Sequence, residues 1–170
     1  PSFEEFTNDC NSVNFGAMQS SFTNLPKWYS LHSGTAFFNI CANDPTLSYN
    51  IPRNTLGFQY PKTGNGYTGF IAYYYEGAGD FRGYLRGEFN DVLQMDSVYC
   101  VEYYLVLAEF GSNGAIMKVD AYLSDTIPAY PPWLPPELLL ELPAQIRSKQ
   151  ILKDSINWMK VSDLYKARGG

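Results

Sequence analysis

The chain has 170 residues, of which 17% are charged, and a net charge of −5 at pH 7. That sign, and the lack of any Lys/Arg run, argue against nucleic acid as a partner, and no apolar run approaches the roughly 18 residues that span a bilayer. One histidine and no Cys-x-x-Cys pair remove most imidazole catalysis and make a zinc site improbable. What remains is rich in aromatics, 14 of them Tyr, which suits β-sheets carrying large half-buried side chains.

The chain opens at Pro1-Ser2-Phe3 without a charged n-region or apolar h-region, so any export signal is expected to be already gone. Glu4 and Glu5 are adjacent and would point to opposite faces of a strand, so they form no acid/base pair. Either could lend an oxygen to calcium, which takes ligands from irregular segments; no EF-hand loop occurs. Strands are expected near Phe15–Ser20 and Ala36–Cys41, with Trp28 and Tyr29 between them as flat faces suited to a sugar ring or a protein partner. His32 lies in Tyr29-Ser-Leu-His-Ser-Gly34, which lacks the G-x-S-x-G elbow of a serine nucleophile.

Further strands are expected at Leu56–Tyr60, Tyr67–Tyr75 and Phe81–Phe89. The stretch Gly64-Asn-Gly-Tyr-Thr-Gly69 fits G-x-G-x-x-G, but the dinucleotide turn requires a helix to follow. Here Phe70-Ile-Ala-Tyr-Tyr-Tyr75 follows, a strand-forming run, so the glycines read as a hairpin lead-in. Val98–Leu107 alternates cleanly: Tyr99, Val101, Tyr103, Leu105 and Leu107 share one face, read as core. Ala115–Leu123 repeats the alternation after a Gly111-Ser-Asn-Gly114 turn cluster, so the two read as a hairpin. Residues 127–143 hold six prolines, which exclude central strands and helix interiors. This stretch reads as a long loop, either anchored by its own apolar residues or serving as a partner-binding arm through Tyr130, Trp133 and Leu139. A last strand is expected at Trp158–Tyr165.

Runs of strands divided by Gly, Pro and Asn turns argue for an all-β, antiparallel β-sandwich or jelly roll over a single domain, residues 1–170. No catalytic constellation stands out, so the chain is read as a non-enzyme. A glycoside hydrolase, with two carboxylates facing across a cleft, is the weaker alternative.

The residues also resemble a family. Ser2-Phe3-Glu4-Glu5, Trp28-Tyr29, Phe38-Asn39-Ile40-Cys41, Ile51-Pro52-Arg53-Asn54, Gly57-Phe58-Gln59 and Gly64–Gly69 follow one another in an order similar to that of galactose-binding-like jelly-roll domains in Bacteroidota surface proteins. Arg82-Gly83-Tyr84-Leu85, Tyr99–Tyr103, Ala121–Ser124, Asp154, Trp158 and Ala167–Gly170 continue it across nearly the whole chain. Such domains are often fused to an outer-membrane-protein-A-like peptidoglycan-binding domain or a secretion-sorting domain, and are similar in fold to carbohydrate-binding modules. The resemblance implies an exported, cell-surface or outer-membrane module whose partner is a protein of that assembly or a glycan. It requires no cofactor; a structural calcium near Glu4 or Glu5 is the one it allows. It also implies a Cys10–Cys41 disulfide, worth about 3 kcal/mol in the chain-entropy model, leaving Cys100 reduced. Ala36 and Gly83 stand where the family often has acidic residues, which weakens an inherited polar ligand site and tilts the reading toward protein contact. The family's closing strand does not occur before Gly170, so a fragment of a longer protein, or a strand supplied from elsewhere, is expected.

Overall fold

The computed structural model describes residues 3–5, 22, 25–30, 34–42, 48–75, 80–126 and 142–168. Every strand among them pairs antiparallel, and no strand belongs to more than one two-stranded ladder. The protein is therefore all-β, as its composition predicts. The strands are β1 (Trp28–Ser30), β2 (Thr35–Asn39), β3 (Arg53–Asn54), β4 (Gly57–Phe58), β5 (Gly66–Phe70), β6 (Tyr74–Tyr75), β7 (Asp80–Phe81), β8 (Leu85–Gly87), β9 (Val98–Leu105) and β10 (Met159–Lys166). They pair as β1 with β8, β2 with β5, β3 with β4, β6 with β7, and β9 with β10.

The core is organised by two consecutive residues. Phe37 and Phe38 sit side by side on β2, so they leave the strand in opposite directions. Phe37 joins Phe22 and Leu25, with Phe3, Trp28 and Leu85 packed around them. Phe38 joins Ile51 and Tyr67, covered by Ala36, Tyr49, Leu56 and Trp158. Both phenylalanines are fully buried, each contributing roughly 1.5–3 kcal/mol of apolar burial. The β2–β5 ladder thus lies between two aromatic cores and has no free face.

This packing explains the Gly64–Gly69 stretch. Gly64 turns the chain at a φ of 68°, and β5 begins two residues later. A side chain at Gly66 would lie 2.8 Å from Asn39 Nδ2 and 3.0 Å from the Phe37 ring, and one at Gly69 would lie 2.6 Å from Leu56. The glycines serve a turn and two close approaches. A strand follows them, where a dinucleotide-binding turn would need a helix.

The second large element differs from expectation. β9 keeps its predicted alternation, with Tyr99, Val101 and Tyr103 shielded and Val98, Cys100 and Glu102 exposed. Its partner, however, is β10 over eight residue pairs. Residues 115–123, the expected hairpin partner, supply only isolated bridges, Ile116 to Leu152 and Ala121 to Ile146, and Met117 is largely exposed. The reason is cross-strand chemistry. β10 sets Val161 opposite Tyr103 and Tyr165 opposite Tyr99, aromatic and β-branched pairs of the kind that stabilise a ladder; the 115–123 segment also holds Ile116, Val119 and Tyr122 and bridges residues 146 and 152 instead. β1 was not expected as a strand, and the Tyr67–Tyr75 run is split at residues 71–73, where Ile71 bonds to Gly34 and Gly83 instead. The Phe15–Ser20 strand and most of the proline-rich 127–143 stretch, residues 127–141, lie outside the described residues.

Candidate recognition surface

Among the described residues, the β3–β4 turn carries an exposed aromatic pair in direct ring contact. Its inward face is polar. Asn54, buried, pairs across the ladder with Gly57, also buried. The Asn54 amide donates to Asn50 O at 3.0 Å and to the Tyr67 hydroxyl at 2.6 Å, while its Oδ1 accepts from Leu56 N at 2.9 Å. That last bond closes a turn of the kind Asn side chains favour. Gly57 has a φ of 129°, and any side chain there would collide with Glu109 Cβ at 2.5 Å. Glu109 uses that closeness: its Oε2 accepts from Phe58 N at 3.0 Å, satisfying a strand-edge N–H that has no ladder partner. Phe110 N donates to Leu56 O, and Gln59 N to Pro52 O.

The outward face is aromatic and cationic. Phe58 pairs with Arg53, both exposed. Phe58 and Tyr60 meet edge to face at 5.6 Å between centroids, and they are 56% and 57% exposed. Edge-to-face contact aligns the positive ring rim with the negative ring face, which holds the pair in one arrangement. The Tyr60 carbonyl accepts from Trp158 Nε1 at 2.9 Å, and Trp158 packs edge-on against buried Tyr67 at 5.8 Å. The surface is therefore bolted to the Phe38 core from beneath. It continues through Lys62, whose ammonium lies 5.0 Å over the Tyr104 ring, to the Lys160–Glu102 ion pair at 2.6 Å. That pair holds the Glu102 carboxyl below its usual range and the Lys160 ammonium above it. Burial pushes the Tyr67 phenol up, and the Asn54 bond partly offsets this.

The residues singled out from sequence are placed as follows. Trp28 is committed to packing: its ring stacks on Phe3 at 4.4 Å and fills the space where Gly87 lacks a side chain. Tyr29 is half-buried, with the Arg86 guanidinium 4.0 Å over its ring and Arg86 Nη2 bound to Glu88 at 2.7 Å. Both Glu4 oxygens accept from Asn65, from its backbone N at 2.8 Å and its amide at 2.9 Å, so Glu4 holds the Gly64 turn. Glu5 is exposed. Among the described residues no group of three or more His, Cys, Asp or Glu gathers as metal ligands. Cys41 is disulfide-bonded and Cys100 is a free, exposed thiol; Cys10 lies outside the described residues, as do His32, Tyr130, Trp133 and Leu139. Among the described residues no helix is long and apolar enough to cross a membrane.

Phe58, Tyr60, Arg53 and Glu109 were not marked as site residues by the sequence. Alternation across Leu56–Tyr60 gives the period but not the direction, and large aromatics default to the core. The usable signal was Gly57 paired with Asn54, a glycine and a buried-amide residue that make the other face the outer one. Compared with known family models, curated proteins and solved structures, the chain matches none.

Proposed function

We propose that this chain is a non-catalytic recognition module of an exported or cell-surface assembly, acting through protein–protein contact, on a jelly-roll sandwich of the galactose-binding-like kind. The observation that carries the reading is the exposed Phe58–Tyr60 pair beside Arg53, fixed from below by buried Asn54 and by Trp158. Aromatic and Arg side chains are what interface hot spots are made of, and the contact between the two rings lowers the side-chain entropy they lose on docking. Phe110, also more than half exposed, extends the apolar area next to the turn. A glycan is the second reading, favoured by the same two rings, whose flat faces suit sugar stacking.

The test is a pull-down from solubilised outer membranes with wild-type bait and with Phe58→Ala/Tyr60→Ala bait, run beside a glycan array. Both rings are exposed, so the variant keeps its fold. A stoichiometric protein partner lost in the variant supports protein contact. Array binding lost in the variant supports the glycan reading. Retention of every ligand by the variant removes this surface from consideration.

A further inference from the structure

A small cavity of about 100 Å³ opens between residues 147–150 and Lys160–Ser162. Its lining holds three cations, Arg147, Lys149 and Lys160, and no carboxylate, in a chain whose net charge is −5. Val161, which is buried, also contributes to its lining. The 147–150 segment is fixed in place. It runs between the bridges Ala121 to Ile146 and Ile116 to Leu152, whose Ile146 and Leu152 side chains are buried. Ser148 N donates to Asp120 Oδ1 at 2.8 Å, and Ser148 Oγ donates to Gln150 O at 2.8 Å.

The three cations differ in how they are held. Lys149 pairs with Asp163 at 3.2 Å and Lys160 with Glu102 at 2.6 Å. These are exposed pairs, weak and screened, so either ammonium turns toward a stronger anion at little cost. Arg147 donates through Nε to Ala144 O at 3.3 Å, and among the described residues its terminal nitrogens meet no carboxylate. That leaves a guanidinium fork available on one side and two point charges on the other. The cavity is partly open to solvent and has room for an oxyanion group.

We propose that this cavity binds a tetrahedral oxyanion, a sulfate or phosphate group, with Arg147 engaging two oxygens and Lys149 and Lys160 the others. Several acceptor oxygens pointing in different directions match a fork plus two ammoniums better than the two coplanar oxygens of a carboxylate do. The cavity shares Lys160 with the far end of the Phe58–Tyr60 surface, and Arg147→Gln, which leaves Phe58 and Tyr60 untouched, tells the two apart.

The test is an amide-resolved NMR titration of the full chain with sodium sulfate and with sodium phosphate, against sodium chloride at matched ionic strength. Saturable shifts at Ser148, Gln150 and Ser162 are expected with the oxyanions only. Arg147→Gln should weaken binding at least tenfold, and Lys160→Gln severalfold, with the other amides unmoved. A third arm uses glycerol 3-phosphate. Tighter binding than inorganic phosphate assigns the site to an ester-linked group, and equal or weaker binding assigns it to the free ion. Shifts that chloride reproduces, or that survive in both variants, overturn the proposal.

Discussion

Replacing Asn54 with alanine removes three hydrogen bonds from one position that is 6% exposed. The Tyr67 hydroxyl is left among buried apolar groups, while Leu56 N and Asn50 O are half-buried and recover part of their bonding from water. An unsatisfied buried polar group costs about 1–3 kcal/mol, so one full loss and two partial ones come to about 2–4 kcal/mol. For a domain of this length that is a fall in Tm of about 5–15 °C, read by circular dichroism with an unchanged urea m-value. Tyr67→Phe, singly and combined, completes a double-mutant cycle in which a coupling of about 1 kcal/mol is expected. The Asn54→Ala protein should also titrate Tyr67 later, because the bond that offsets burial has gone. A loss under about 0.5 kcal/mol, or strict additivity with Tyr67→Phe, would refute the claim that this amide organises the turn.

Gly66→Ala places a methyl 2.8 Å from Asn39 Nδ2 and 3.1 Å from the Phe38 carbonyl, and overpacking of this kind costs about 1–3 kcal/mol. Gly114→Ala meets nothing within 4 Å and should stay within about 0.5 kcal/mol of wild type; equal effects in urea melts would contradict the packing argument. Tyr103 is pushed up to about 12, mainly by burial and then by the nearby Asp120 charge. A raised folded pKa means that the fold favours the protonated phenol, so this contribution is complete below pH 10 and disappears as pH climbs through about 12. Tyr103→Phe should therefore flatten the alkaline loss of stability and remove a late step from the 295 nm absorbance titration, and an unaltered profile would count against it.

The all-β character was legible because strand chemistry is local: β9 is Val-Tyr-Cys-Val-Glu-Tyr-Tyr-Leu, and few residues in it favour anything else. The role of the Gly64–Gly69 glycines was legible too, since Phe70–Tyr75 cannot supply the helix a phosphate site needs. Pairing was less so. Val98–Leu107 has an equally plausible neighbour nearby in sequence, and what decides for β10 is which side chains stand opposite one another after a long excursion. Direction was the hardest. Leu56–Tyr60 announces a strand, but only the burial of Asn54 and the clash a side chain at Gly57 would make with Glu109 turn Phe58 and Tyr60 outward. Glu109 is 51 residues from the N–H it satisfies, and no spacing rule reaches that far. Glu4 was noticed as a candidate calcium ligand; its bond to Asn65, 61 residues on, is likewise beyond the reach of any local pattern.

The β9–β10 ladder also bears on biosynthesis. Some 50 residues must be made after β9 before its partner exists, and at about 5–20 residues per second the ribosome takes roughly 3–10 s to supply them. Throughout that interval β9 is an eight-residue strand-forming segment, rich in Val and Tyr, whose partner has not been made, a form of chain prone to pair with a neighbour on the same polysome. Cys100 sits at its middle with a free thiol. Only two residues among the eight, Cys100 and Glu102, are neither aromatic nor aliphatic, so Glu102 is the sole charge interrupting the run and acts as its gatekeeper until Lys160 arrives to pair with it.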